Sequence, residues 1–375
     1  MAIWETQVRQ LTLLEEKGRL RTLSPRSGRD FASNDYLGLA SDPTVAQAVA
    51  DAIGNGVPVG SGGSRLLRGN APEHEALEAK AAAFFGTEAA LFLANGFAAN
   101  LALFSTLPQR GDLVVADELI HASVHDGLRQ SKATTLFARH NDPQSFHDLI
   151  AGWRAEGGRG IVWIAAETLY SMDGDIAPID ALAAIADRHS AMLVLDEAHG
   201  TGVFGHKGKG IAAHLDGQAN VVSLHTCGKA LGAEGALICG PRLAIDYLVN
   251  RARPFIFSTA PSPLMAVAAS AALDRVADGD DLRSRLSELR GEADDAICAR
   301  LGLSMSRSQI IPIMTGDDKR TMAAAAALQA AGLDVRGIRP PTVPAGTSRL
   351  RISLTLNVGK GDIRELGEIL QGIIL

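Results

Sequence analysis

AMLVLDEAHGTGVFG, residues 191–205, carries a short apolar run that ends on two carboxylates and opens into a glycine-rich segment. Similar apolar runs recur through the middle of the chain: LVVA at 113–116, TTLFA at 134–138, IVWIAAE at 161–167, VVSLH at 221–225 and ALICG at 236–240. Helical patterns separate them. Nearly continuous apolar strands alternating with helices predict a mainly parallel sheet covered on both faces, so the large part of the chain reads as α/β. After Pro261 the text changes to Ala-rich helices at 264–276 and 321–331, a strand-like QIIPIM at 309–314 and RLRISLTL at 349–356. The closing GDIRELGEILQGII sets Ile363, Leu366, Ile369, Leu370 and Ile373 on one helical stripe. The expected division is an N-terminal helix and segment over 1–45, a large α/β domain over 46–260 and a small α+β domain over 261–375.

Across 375 residues, Lys+Arg 36 against Asp+Glu 42 leaves a net charge of −6, with 46% hydrophobic and 21% charged residues. That balance is globular and excludes disorder as the default. The acidic excess also argues against a nucleic-acid binder, which needs a concentrated basic surface. Cys227, Cys239 and Cys298 are odd in number and form no C-x-x-C pair, so neither a disulfide framework nor a zinc knuckle is expected. No metal site is predicted. MAIWETQVRQLTLLEEKGRL at the N-terminus is charged throughout, unlike a secretory signal, and its Trp4, Val8 and Leu11 suit one helix face. The closest candidate, Met265 to Leu273, is short and Ala-rich, well under the roughly 18 residues of a membrane span. A cytoplasmic protein without membrane or nucleic-acid partners is expected.

Three motifs compete for the chemistry. Asp196-Glu197-Ala198-His199 has the form of a helicase acidic box, but such an enzyme also needs G-x-x-x-x-G-K-[ST], and Cys227-Gly228-Lys229-Ala230 lacks the hydroxyl residue and the upstream glycine. Gly200-Thr201-Gly202-Val203-Phe204-Gly205 matches the G-x-G-x-x-G of nicotinamide and flavin enzymes. The loop-like HKGKG follows it where a helix would have to open, so a glycine-rich turn is the better reading. The third reading joins Asp196, His199 and Lys229. A carboxylate at a strand end for a pyridine nitrogen, and a lysine after the next strand for an aldehyde, suit pyridoxal 5′-phosphate. Taken singly, the Asp is more often a helix cap and the Lys a solvated side chain. Their neighbours add weight: Thr226 offers a hydroxyl to a phosphate, and Asn95-Gly96-Phe97 places backbone N–H groups at a strand-to-helix junction. His121 is placed to stack on a pyridine ring or to sit as a core histidine. Glu167 and Ser171 flank the end of another strand and could serve as caps.

Together, SNDYLGLA at 33–40, GSGGSRLLRGN at 60–70, NGFAAN at 95–100, HASVHDG at 121–127, ETLYSMDGDIAPI at 167–179, LDEAHGTGVFG at 195–205, HTCGKALG at 225–232, FST at 257–259 and RPPTVPAGTSRLRIS at 339–353 resemble the α-oxoamine synthases. These are pyridoxal-phosphate enzymes of the fold-type I aminotransferase architecture. The resemblance spans nearly the whole chain. It implies that Lys229 links to the cofactor, Asp196 pairs with the pyridine nitrogen, His199 contacts the phenolic oxygen and His121 lies over the ring. Ser171 and Thr226 fall on further cofactor positions, Gly96 and Phe97 would donate backbone N–H to the phosphate, and Thr259 would reach the phosphate of the neighbouring subunit of a homodimer. Asn34, Glu167 and Arg339 match substrate-pocket positions. RPPTVPAGTSRLR is most similar to the branch that joins L-alanine to a pimeloyl thioester of coenzyme A or acyl-carrier protein in biotin biosynthesis. Arg21 would meet the distal carboxylate of that acyl chain. Glycine-using and long-chain members are the alternatives, and a nicotinamide oxidoreductase is the alternative from another class. Cys227 and Ala233-Glu234 depart from the family pattern beside the lysine, which bears on pocket shape.

Overall fold

The computed structural model describes residues 2–374; Met1 and Leu375, the ends of the first and last expected segments, lie outside the described residues. The chain divides into two compact units, Leu37–Tyr170 with Asp175–Arg283, and Met1–Tyr36 with Ser171–Gly174 and Ser284–Leu375. The helix Pro263–Ala277 thus belongs to the larger unit, although the sequence division at 261 would assign it to the smaller one. Its Leu264, Ala268, Ala272 and Val276 are buried, and Lys80 on the helix Pro72–Phe85 reaches its Asp274. Packing, which composition does not reveal, decides that membership.

The larger unit is built on a seven-stranded sheet. Across it the strands lie in the order Ala89–Leu93, Ala236–Gly240, Val221–Thr226, Met192–Asp196, Val162–Glu167, Leu113–Asp117 and Thr134–Ala138. All run parallel except Ala236–Gly240, which opposes both neighbours. The reason is local. Residues 227–235 are too few for the crossover that a parallel pair requires, so the chain turns back directly after Thr226. Alternate strand residues serve opposite layers: Val114, Ala116, Ala165, Val194 and Val222 pack with the helices Gly96–Thr106 and Arg242–Arg251. Leu113, Val115, Ile164, Leu193 and Leu195 pack with Pro143–Ala155 and Ile179–His189. Burial on both faces is what the continuous apolar runs encode.

The smaller unit has an antiparallel sheet in the order Arg336–Ile338, Ser348–Ser353, Ile310–Gly316, with the helices Asp318–Ala330 and Lys360–Ile374. On the last helix Ile363, Leu366 and Leu370 are buried, while Ile369 and Ile373 lie at its half-buried margin. The helix Asp280–Ala293 was not anticipated, although Leu282, Leu286, Leu289 and Ala293 mark a buried stripe along it. The N-terminal helix Glu5–Glu16 forms as expected, but Trp4, Val8 and Leu11 are 65%, 60% and 54% exposed. No helix among the described residues is long and apolar enough to cross a membrane.

Ile164 sits fully buried at the middle of the sheet. Replacing it with Ala should lower unfolding free energy by about 2–5 kcal/mol through lost burial and the cavity left behind, read as a lower urea midpoint with an unchanged slope.

Candidate active site

Parallel α/β sheets present functional groups beyond the carboxyl ends of their strands. Here Asp117, Glu167, Asp196 and Thr226 each end a strand at that edge. Glu167 is buried and lies in register with Asp196. Lys229 stands in the short turn between Thr226 and Ala236, and its Nζ is 2.8 Å from Nε2 of the buried His199. Asp196 Oδ1 accepts from the Ala198 N–H at 2.9 Å, and Oδ2 accepts from Asn100 Nδ2 at 2.8 Å. His121 caps the helix Ala122–Gln130, with Nδ1 2.7 Å from Ser123 Oγ. Loss of hydration is the main cause holding its pKa below the ordinary value; Lys229 adds to that and Asp196 opposes it.

A phosphate corner lies on the same edge. Asn95 caps the helix Gly96–Thr106 by accepting from Ala98 N–H, which leaves the Gly96 and Phe97 N–H groups at the helix mouth. A Cβ on Gly96 would fall 3.6 Å from Thr226 Oγ1 and fill that corner. With a lysine amine, a strand-end carboxylate and a phosphate corner on one edge, these residues fit pyridoxal 5′-phosphate.

The glycine-rich segment after His199 has another task. Glu197 is buried on the opposite side from Asp196, where Oε2 accepts from Thr168 Oγ1 at 2.7 Å and Oε1 from Ala212 N–H at 2.6 Å. A Cβ on Gly200 would lie 2.0 Å from Glu197 Oε2, and one on Gly210 2.6 Å from Glu197 Cδ. The loop therefore closes over an internal carboxyl, and only a short 3₁₀ turn at His206–Gly208 follows it where a dinucleotide fold needs a helix. Burial pushes the Glu197 carboxyl up to about 7 against its hydrogen bonds.

Thr259 is exposed in the larger unit, beside the glycine-rich 60–70 segment: Ala260 N–H donates to Gly63 O at 2.9 Å, and Ser262 Oγ donates to Val59 O. The remaining expected residues belong to the smaller unit. Arg21 donates to Thr342 Oγ1 at 3.3 Å. Arg339, 7% exposed, donates to Leu20 O at 2.8 Å, and its Nε has no hydrogen-bond partner. Burial and the nearby charge of Arg21 hold its pKa down. Arg351, which the sequence reading did not single out, is buried and donates to Ser171 O at 2.6 Å, Ser353 Oγ at 2.6 Å and Asn34 Oδ1 at 3.1 Å. An arginine inside an apolar strand was the signal for it.

The aminotransferase class I and II family model matches residues 28–369. The chain is 45% identical over 362 residues to an 8-amino-7-oxononanoate synthase of Anaeromyxobacter dehalogenans, covering 92% of this chain and 89% of the relative. It is similar to serine palmitoyltransferase from S. paucimobilis with bound PLP-myriocin, with a TM-score of 0.88, 26% identity, and 99% and 97% of the two chains covered. The 8-amino-7-oxononanoate synthase of Francisella tularensis is also similar, with a TM-score of 0.77, 28% identity, and 92% and 97% covered. The chain belongs to the aminotransferase class I and II family, as a member of its α-oxoamine synthase branch.

His140, also missed, joins two strand ends to the chain beyond Tyr170. Nδ1 lies 2.8 Å from Asp117 Oδ1, and Nε2 lies 2.8 Å from Asp175 Oδ2. Burial lowers its pKa, but the two carboxylates outweigh that and raise it to about 10. The folded state therefore keeps a proton that the unfolded chain releases near 6.5. His140→Gln should destabilise the protein most below pH 6.5, and the gap between wild type and variant in urea unfolding should shrink as pH rises towards 10.

Proposed function

We propose that the protein is a pyridoxal-phosphate-dependent acyltransferase that condenses L-alanine with a pimeloyl thioester, on coenzyme A or acyl-carrier protein. The products are 8-amino-7-oxononanoate, carbon dioxide and the free carrier thiol, a step of biotin biosynthesis. The observation that carries this reading is the Lys229–His199 contact beside Asp196 on one sheet edge. It occurs in a chain with 45% identity to a relative of that name. When bound, the cofactor supplies an electron sink for negative charge developing at the alanine α-carbon.

The residues divide the remaining work. Asp196, held in place by the Asn100 and Ala198 N–H donors, would pair with the pyridine nitrogen. Thr226 and the Gly96 and Phe97 N–H groups bind phosphate, with Thr259 contributed to the neighbouring subunit of a homodimer. His199 orients Lys229 and would meet the phenolic oxygen, His121 would cover the ring, and Ser171 would add a further cofactor contact. Lys229 takes the α-proton and returns one after the carboxylate leaves as carbon dioxide. Asn34 and Glu167 would each contact substrate.

Arg339 and Arg21 take the two carboxylates, that of alanine and that at the far end of the acyl chain. Two guanidiniums close enough to oppose each other's charge favour anion pairing, and Arg339 Nε retains a free donor. This supports a carboxylate-ended acyl chain over the apolar one of the long-chain members. Exposed Val59 and Phe257, on the segments around Thr259, support a homodimer whose sites are shared. The three free cysteines fit the cytoplasm.

Lys229→Ala should fold normally by circular dichroism and lose about 10²–10⁴-fold or more of carbon dioxide release. Borohydride should no longer fix cofactor to the peptide containing residue 229; fixation to that same peptide in the variant would refute the assignment. Arg21→Ala should raise KM for a pimeloyl thioester by about tenfold or more, as expected from losing a hydrogen bond to a charged group. An uncharged acyl thioester of equal length should change much less, and equal effects would remove Arg21 from the distal carboxylate.

A further inference from the structure

The proposed function uses Asp196 and His121 but not the polar side chain buried between them. Asn100 lies on the helix Gly96–Thr106 and is 2% exposed. Its Nδ2 donates to Asp196 Oδ2 at 2.8 Å and to Ser123 Oγ at 3.0 Å. Turning the amide over would press its carbonyl oxygen against a carboxylate, so the orientation is set. Ser123 N–H donates to His121 Nδ1 at 3.2 Å, a long bond that favours Nδ1 as the unprotonated ring nitrogen without fixing it alone. With one lone pair of the Ser123 hydroxyl taken by Asn100 and a backbone donor already on Nδ1, the hydroxyl hydrogen is directed to Nδ1 across 2.7 Å. By this chain of donors the single ring proton of neutral His121 sits on Nε2. The Asn100 carbonyl oxygen is buried with no hydrogen-bond partner. An apolar residue would avoid that cost, so the amide is there for its two N–H groups.

We propose that Asn100 is a positioning residue that sets two groups at once. One N–H bonds to Asp196 Oδ2 and fixes its rotamer for the pyridine nitrogen. The other, through Ser123, fixes the Nε2–H tautomer of His121, so that a donor rather than a lone pair is available on the far side of the ring. The proposal deepens the reading above and rests on it for the roles of Asp196 and His121. The charged and titratable groups that face His121 are Asp196, Lys229 and His125. None of them bonds to Nδ1, so they influence its charge but not the choice between its two nitrogens.

Long-range ¹⁵N–¹H spectra of histidine-labelled protein, free of cofactor, read the tautomer directly. Wild type should show His121 as Nε2–H above its pKa. Asn100→Ala and Ser123→Ala should both raise the Nδ1–H fraction, because only the longer Ser123 backbone N–H bond then favours Nε2–H. Only Asn100→Ala should also weaken pyridoxal-phosphate binding, by roughly tenfold, because only it strips a donor from a charged carboxylate. Ser123→Ala leaves the Asp196 arm intact and guards against a folding defect at Asn100. A wild-type Nδ1–H signal, or unchanged His121 spectra in both variants, would overturn the proposal. If Asn100→Ala moved the tautomer but left cofactor binding untouched, the two-arm role would fall. Failure of the broader reading is separate, because it would appear as borohydride fixing no cofactor at Lys229 in the wild type.

Discussion

Asp196 and Glu197 end an apolar strand with two adjacent carboxyl groups, and a strand sends successive side chains to opposite faces. A buried carboxylate without donors is costly, so both faces of the sheet have to provide them. On one face Asn100 and the Ala198 N–H do so. On the other, Thr168 and the Ala212 N–H close on Glu197, and the chain can come that near only where Gly200 and Gly210 carry no Cβ. The helix start at Gly96 and the glycine-rich loop are the two solutions to one electrostatic demand, and they differ because the two carboxyls do different work. Asp196 stays at the carboxyl edge of the sheet, bonded to Asn100 and the Ala198 N–H. Glu197 is sealed in, with its carboxyl pushed up to about 7, and fastens the loop that follows His199.

The same edge is stiffened elsewhere by polar groups that touch no ligand in the proposed chemistry. His140 binds a carboxylate on each side of its ring, one from a strand end and one from the segment that resumes at Asp175. His225, fully buried, lies 2.8 Å from Thr201 and 2.9 Å from Ser223, and burial lowers its pKa to about 3. It is therefore a neutral strut under the strand that delivers Thr226. An enzyme that must hold an amine, a carboxylate and an imidazole in fixed relation needs such rotamer-locked surroundings, since small misplacements of reacting groups carry large rate penalties.

Most of the sheet was legible because its strands are buried on both faces and read as unbroken apolar runs. The reversed direction of Ala236–Gly240 was encoded too, in the shortness of 227–235, but a mainly parallel expectation does not identify which strand breaks the rule. The helix Asp280–Ala293 escaped because its stripe of leucines is set in a highly charged text. Lys229, Asp196, His199, Thr226, Gly96 and Phe97 could be proposed from the sequence because motif and strand end coincide. Asn100 and Arg351 stood inside quoted motifs and still went unremarked, since a side chain's partners across the sheet leave no mark on its own segment.

The amino-acid sequence by itself determined the α/β architecture and the family, and it singled out Lys229 and Asp196 as candidates, because these follow from local pattern and ordered motifs. Only the tertiary structure decided what each polar group binds. It turned a dinucleotide-like glycine motif into a cover for Glu197, joined Arg351 to Ser171 and Asn34, and placed Asn100 between Asp196 and Ser123. The physical reason is that hydrogen bonds between residues far apart in the chain depend on packing distances of about 3 Å, which one-dimensional spacing does not contain.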